Sequence, residues 1–245
     1  MSNSTDTVDK LVVFLAKRDG IDKLVKTFQY VSKLVHWHAE SSIHADVARR
    51  AKSWETAAGL SRKAFRTGRF LTGFNALRRS PAPTPLFCAL SVLANAGEMI
   101  YFFFDHFLWL SRIGVLETTL ARKMSFISAF GESVGYVFFI IMDFIMIKKG
   151  LIEERRLLKN KDKINTNTSN INNTNNTNNT NNNEEVKRIR GDRVMRLTGV
   201  AANVADLVIA VADIEPNPFC NHAVTLGISG LVSAWAGSIK NAEEY

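Results

Sequence analysis

At 245 residues the chain is long enough for one large domain or two small ones, and its 46% hydrophobic content is ordinary for a globular protein. Its charge is unevenly spread. Residues 1–80 hold 15 Lys and Arg against 7 Asp and Glu, the whole formal net charge of +8, while the remainder holds 16 of each. Two cysteines, Cys88 and Cys220, make neither a disulfide framework nor a metal knuckle. No nucleic-acid-binding module accompanies the basic residues, which argues against nucleic acid as a partner.

The opening MSNSTDTVD is polar and acidic, so no cleavable secretory signal is expected. Asp6 to Arg18 reads as a short helix with Val8, Leu11, Val12 and Leu15 as its apolar stripe. Asp19-Gly20 marks a turn, and Asp22 can cap a second helix running to about His38. Leu24, Phe28, Val31 and Val35 share one face of that helix, and Lys23, Lys26 and Lys33 fall mostly on the other. Residues 39–58 read as continuing helix with small and polar residues. His36, Glu40 and His44 then stand at i, i+4 and i+8, but no fourth ligand or HExxH pattern joins them, and no metal is expected.

Leu60 to Ser80 is the most distinctive stretch, with Arg62, Lys63, Arg66, Arg69, Arg78 and Arg79 and no acid. On a helix, Arg62, Arg66 and Arg69 share a face, and Phe70, Leu71, Phe74 and Leu77 form an adjoining apolar one. Gly68 and Gly73 each cost about 1 kcal/mol in a helix interior. Such a helix forms best on something that rewards its apolar face. An anionic membrane surface does so: partial burial of four large apolar side chains supplies roughly 4–6 kcal/mol, and each basic group adds about 1 kcal/mol. The six basic residues are the candidate phospholipid ligands, and the four apolar ones the candidate membrane wedge.

Pro81, Pro83 and Pro85 stop this helix. Leu86 to Phe104 and Phe126 to Ile147 are long apolar runs, interrupted by Glu98, Glu132 and Asp143, which are costly in lipid. Residues 86–160 are therefore expected as helices in or on a membrane, their acids turned toward each other or a wet interface. Residues 161–185, almost wholly Asn and Thr from Asn165 to Asn183, have nothing to bury and read as a disordered linker. The Asn-x-Ser/Thr triplets there read as by-products of the repeat rather than glycosylation sites.

Residues 186–245 form a second apolar helical region carrying Asp206 and Asp213. Phe219 to Ile239 has no Asp, Glu, Lys or Arg and is the expected transmembrane span. Ala223, Gly227, Gly230, Ser233, Ala234 and Gly237 supply small pairs four apart, a spacing that lets helices approach closely. No phosphate-binding loop, dinucleotide fingerprint or nucleophile elbow occurs, so neither an enzyme nor a cofactor is expected.

The segment LVVFLAKRDGIDKLVKTFQYVSKLVHW resembles the N-terminal signature of the peroxisomal membrane protein 11 family, through Gly20, Asp22, Lys23, Gln29 and Tyr30. Arg62, Lys63, Arg66, Gly68, Arg69 and Phe70 match the family's basic segment, and residues 227–234 resemble its Gly-rich hydrophobic end. Ile21 stands where Arg is often found, and the Asn/Thr tract has no counterpart. The resemblance implies a peroxisomal membrane protein that oligomerises and elongates the membrane before fission, its basic amphipathic helix inserted in the cytosolic leaflet. It also implies a dynamin-related GTPase and its tail-anchored adaptor as partners.

The expectation is an all-α membrane protein, with residues 1–80 as a basic cytosolic amphipathic region and one C-terminal span. A pore or metabolite channel, drawing on the acids in the apolar runs, and a soluble helical adaptor are the alternatives.

Overall fold

The computed structural model describes residues 18–42, 44–79, 84–167, 175–215 and 217–243, with the backbone alone at 79, 161–167, 175–182 and 240–243. Among them are seven helices and no strand: α1 Arg18–Glu40, α2 Ala45–Phe65, α3 Phe70–Arg79, α4 Pro85–Arg112, α5 Thr118–Asn167, α6 Asn175–Ile214 and α7 Ala223–Glu243. The helix expected over Asp6–Arg18 lies outside the described residues except for Arg18, which opens α1.

Local chemistry sets the breaks. Ser41 and Ser42 direct their hydroxyls onto the Trp37 and His38 carbonyls (2.9 and 3.0 Å), and the chain turns before α2. His36 and Glu40 therefore share a helix, with 3.8 Å between them, and His44 sits beyond its end. The continuous helix expected over Leu60–Ser80 is two helices, because Gly68 adopts a φ of 75°, a left-handed conformation that favours glycine. Thr84 caps α4 by accepting a hydrogen bond from the Phe87 amide, with Pro85 at the first helical position. In the turn from α6 to α7 the Asn217 side chain accepts from the Phe219 and Cys220 amides, and Asn221 donates to the Ala212 carbonyl.

Helices α4 and α5 run antiparallel and meet backbone to backbone. A Cβ on Gly97 would lie 2.5 Å from the Gly135 nitrogen and 2.7 Å from the Gly131 oxygen. Gly131, Gly135, Ala94 and Ala129 complete this small-residue seam. α6 returns along α5, and Glu154 of α5 accepts from Arg190 and Arg193 of α6 at 2.5 and 2.6 Å. α7 folds back on α6 and packs along α1: Gly227 lies against Leu34, Gly230 against the Tyr30 ring and Gly237 against Lys23. Ser233 and Ala234 are fully buried, and Ala223 is half-buried at the start of the helix.

The distribution of side chains is the reverse of a water-soluble bundle. Its interior is rich in alanine, glycine and polar groups, with Asp22, Lys26, Arg62, Asp105 and Ser233 all buried beside a few large side chains such as Tyr30, Phe102 and Leu108. Its exterior carries large apolar groups on every helix, among them Phe28, Phe74, Leu86, Phe103, Phe130, Val204 and Trp235. Three helices are long and apolar enough to cross a membrane: Pro85–Arg112, Thr118–Asn160 and Asn183–Ile214. The apolar helix at the span expected over Phe219–Ile239 begins only at Ala223. Residues 219–222 belong to the Asn217 turn, and the apolar part of α7, Ala223–Ile239, is the shortest of the four. The linker expected over 161–185 is entered by helix from both sides, to Asn167 and from Asn175, and residues 168–174 lie outside the described residues.

Candidate functional site

The basic segment is organised by two carboxylates, Asp22 and Asp105. Asp22, read as a helix cap, lies inside α1 and is 1% exposed. Arg62 donates to its Oδ1 through Nε at 3.2 Å and to Gln29 Oε1 through Nη1 at 2.7 Å. Arg66 grips the same carboxylate with two nitrogens, Nε at 3.2 Å and Nη2 at 3.3 Å. Burial pushes the Asp22 carboxyl up, but Arg66 and Arg62 outweigh it and hold it well below the usual carboxylate range.

Asp105, on α4, takes the other cation. Lys63 donates to its Oδ1. Burial lowers the Lys63 ammonium more strongly than Asp105 raises it. Arg66 also donates to the Tyr101 hydroxyl and lies over the Tyr101 ring, 5.8 Å from its centroid. Arg69 pairs with Asp19 at 3.2 Å and stacks over Phe102 at 4.9 Å.

Beside this network Lys26 of α1 binds Asp206 of α6 at 2.5 Å and Ser233 of α7 at 2.6 Å. Asp206 also accepts from Tyr136 of α5 at 3.3 Å. These groups surround a polar cavity of about 330 Å³.

The outward basic face expected for Arg62, Lys63, Arg66 and Arg69 is thus corrected in its geometry. All four turn into the bundle, where acids on α1 and α4 meet them. Arg78 is exposed, and the Arg79 side chain lies outside the described residues. The four wedge residues also separate. Phe70 packs edge-on against Phe103 at 5.8 Å, Leu77 is half-buried, and Leu71 and Phe74 are 57% and 56% exposed. Gly73 seats α3 on α4, its missing Cβ only 3.1 Å from the Asn95 oxygen.

Sequence reasoning missed Asp22, Lys26, Asp105 and Asp206. The available signal was arithmetic: an excess of cations in the first third, and acids inside apolar runs that had no partner of their own. The spacing of Leu24, Phe28, Val31 and Val35 puts them on one face of α1 without saying where that face turns. In the structure that stripe is the exposed one, and Asp22, Lys26 and Tyr30 are buried.

Charge inside and apolar surface outside, with three helices able to cross a bilayer, define a helical integral membrane protein. The chain belongs to the peroxisomal biogenesis factor 11 family, whose pattern matches residues 8–242. Peroxisomal membrane protein 11-4 of Oryza sativa subsp. indica is 70% identical over 240 residues, covering 96% of this chain and 97% of the rice protein. Peroxisomal membrane protein 11B of Arabidopsis thaliana is 63% identical over 238 residues, covering 97% and 98%. The Dictyostelium discoideum homologue is 29% identical over 249 residues, 96% of this chain and 94% of its own. No solved structure matches the chain significantly. Family membership sets the protein's role at the peroxisomal membrane, and the family's name describes a biogenesis factor.

Proposed function

We propose that the protein elongates the peroxisomal membrane ahead of fission, with α3 as the wedge. The observation that carries this reading is the form of α3. It is docked on α4 through Gly73 yet leaves Leu71 and Phe74 exposed. At 10 residues it is about 15 Å long, half the ~30 Å hydrocarbon thickness. Its bulk therefore enters the two leaflets unequally, which favours curvature. In this reading Arg62, Lys63, Arg66 and Arg69 hold the wedge rigidly to the spans, and Arg78 and Arg79 meet anionic headgroups.

The N-terminus is assigned to the cytosolic side. In support, Lys149 of α5 lies over the Phe87 ring of α4 at 5.9 Å, so the Pro85 end of α4 shares its side with Lys148, Lys149, Arg155 and Arg156. The same reading carries self-association, which concentrates wedges, and a dynamin-related GTPase with its tail-anchored adaptor as the downstream fission machinery.

The test is Leu71→Ser with Phe74→Ser in cells lacking the endogenous protein. Both positions are exposed, so the bundle is expected to fold and reach peroxisomes. Elongated peroxisomes should be lost, their length falling to that of cells without the protein. Elongation equal to wild type at equal abundance would remove α3 as the wedge.

The polar cavity favours a second reading, a path for small solutes. Under it, Asp206→Asn would change the conductance of planar bilayers holding the full chain.

A further inference from the structure

The N-terminal third was expected beside the membrane, but its contacts fall at the middle of the candidate spans. Asp206 sits in the apolar part of α6, about 12 Å of helix from Ile214, close to half the ~30 Å hydrocarbon thickness. Lys26 reaches it at 2.5 Å. The Tyr136 hydroxyl, on α5, meets the same carboxylate, which puts Tyr136 at that level too. Gly73 touches the backbone of Asn95 and the side chain of Met99, near the centre of the 28-residue α4. α1 and α3 therefore lie within one side-chain length of the bilayer midplane whenever α4 and α6 cross.

At that depth every outward group must suit hydrocarbon. On α1 the exposed residues between Asp22 and Val35 are Leu24, Phe28, Val31 and Val35, while Asp22, Lys26 and Tyr30 are buried. Of the intermediate polar residues of the same stretch, Lys23, Gln29 and Lys33 turn toward Gly237, Arg62 and Glu55, and Thr27 donates its hydroxyl to the Lys23 carbonyl. On α3 the large groups beside Gly73 that face outward are Leu71 and Phe74, alongside the smaller exposed Thr72, Asn75 and Ala76, and Thr72 turns its hydroxyl onto the Arg69 carbonyl. The apolar surface is continuous with α7, which packs along α1 and exposes Ile228, Val232 and Trp235.

We infer that α1 and α3 are embedded in the hydrocarbon core of the bilayer as lipid-facing helices of the bundle, not adsorbed on its surface. The occupant of the exposed α1 face is lipid acyl chain. The buried ion network then follows from this placement: cations carried by α1 and α2 neutralise the acids that α4 and α6 bring into the membrane. This inference rests on the crossing of α4–α6 and is independent of whether the protein elongates membranes.

Site-directed spin labelling of the full chain tests it. Cys88→Ser and Cys220→Ser remove the native thiols, and single cysteines replace Phe28, Phe74 or Val137, all exposed positions. Val137, beside Tyr136 on α5, reports the depth of a crossing helix. In vesicles of mixed neutral and anionic phospholipid, power saturation should give Phe28→Cys and Phe74→Cys the depth of Val137→Cys. All three should show high oxygen access and low access to a water-soluble nickel chelate. Either N-terminal label at or outside the phosphates, with Val137→Cys deep and helicity unchanged, would overturn the inference. Three water-accessible labels would overturn it together with the crossing of α5. Loss of elongation on mutating Leu71 and Phe74 would leave it standing.

Discussion

Asp22→Asn is expected to destabilise the protein by about 3–5 kcal/mol, the cost of stripping a buried ion cluster of one partner. The carboxylate is shared by Arg62 and Arg66, and its removal leaves two guanidiniums inside the bundle without the carboxylate they pair with. Thermal unfolding in mild detergent, followed by circular dichroism, measures the loss. The sign of its pH dependence is fixed. The folded Asp22 pKa lies below its unfolded value of 3.8, so its stabilisation is complete above pH 4 and fades as the pH falls further. Asp22→Asn should lack that acid-side decline. Replacing the whole cluster, Asp22→Leu with Arg62→Met and Arg66→Met, should recover much of the stability, since apolar groups of similar volume often substitute for a buried ion cluster without loss. A triple variant no more stable than Asp22→Asn would indicate that the cluster does more than satisfy its own charges.

Gly97→Ala is the second large effect. Its new methyl group would sit 2.5 Å from the Gly135 nitrogen and 2.7 Å from the Gly131 oxygen, both backbone atoms that cannot swing away. Helices α4 and α5 must separate, giving up contact along the seam. Overpacking costs about 1–3 kcal/mol where side chains can adjust, and the upper end is expected here. Gly191→Ala is the control, because nothing lies within 4 Å of its Cβ position. Removing a glycine from a helix interior gains about 1 kcal/mol, so the two variants should shift the melting temperature in opposite directions. Equal shifts would show that the seam is looser than its distances state.

Much of this architecture was legible in the chain. Apolar runs at 86–104 and 126–147 and the helical periodicity of 22–38 all yield helices where expected. The family was legible as well, through Gly20, Asp22 and Lys23 and the Arg62–Phe70 segment. What periodicity cannot tell is which face of an amphipathic helix turns inward. The stripe of Leu24, Phe28, Val31 and Val35 reads identically whether it packs on a core or faces lipid. The decision belongs to partners far along the chain: Asp206 lies 180 residues from Lys26, and Asp105 lies 42 from Lys63. Glu98 and Asp143 weakened the reading of α4 and α5 as spans for the same reason, since the cation that meets Asp143, Arg196, sits on α6. The division of Leu60–Ser80 hung on one residue, Gly68, whose left-handed backbone is permitted by sequence but not demanded by it.

In the proposed function α3 bends the membrane while fixed to the spans by the basic residues before it. Reconstitution of the purified full chain into vesicles with anionic lipid, imaged by electron cryomicroscopy, tests this most directly. Wild-type protein should draw the vesicles into tubules. Leu71→Ser with Phe74→Ser, inserted to the same extent, should leave them round. Tubules of equal frequency and diameter from both proteins, or round vesicles from wild type at the same density, would contradict it.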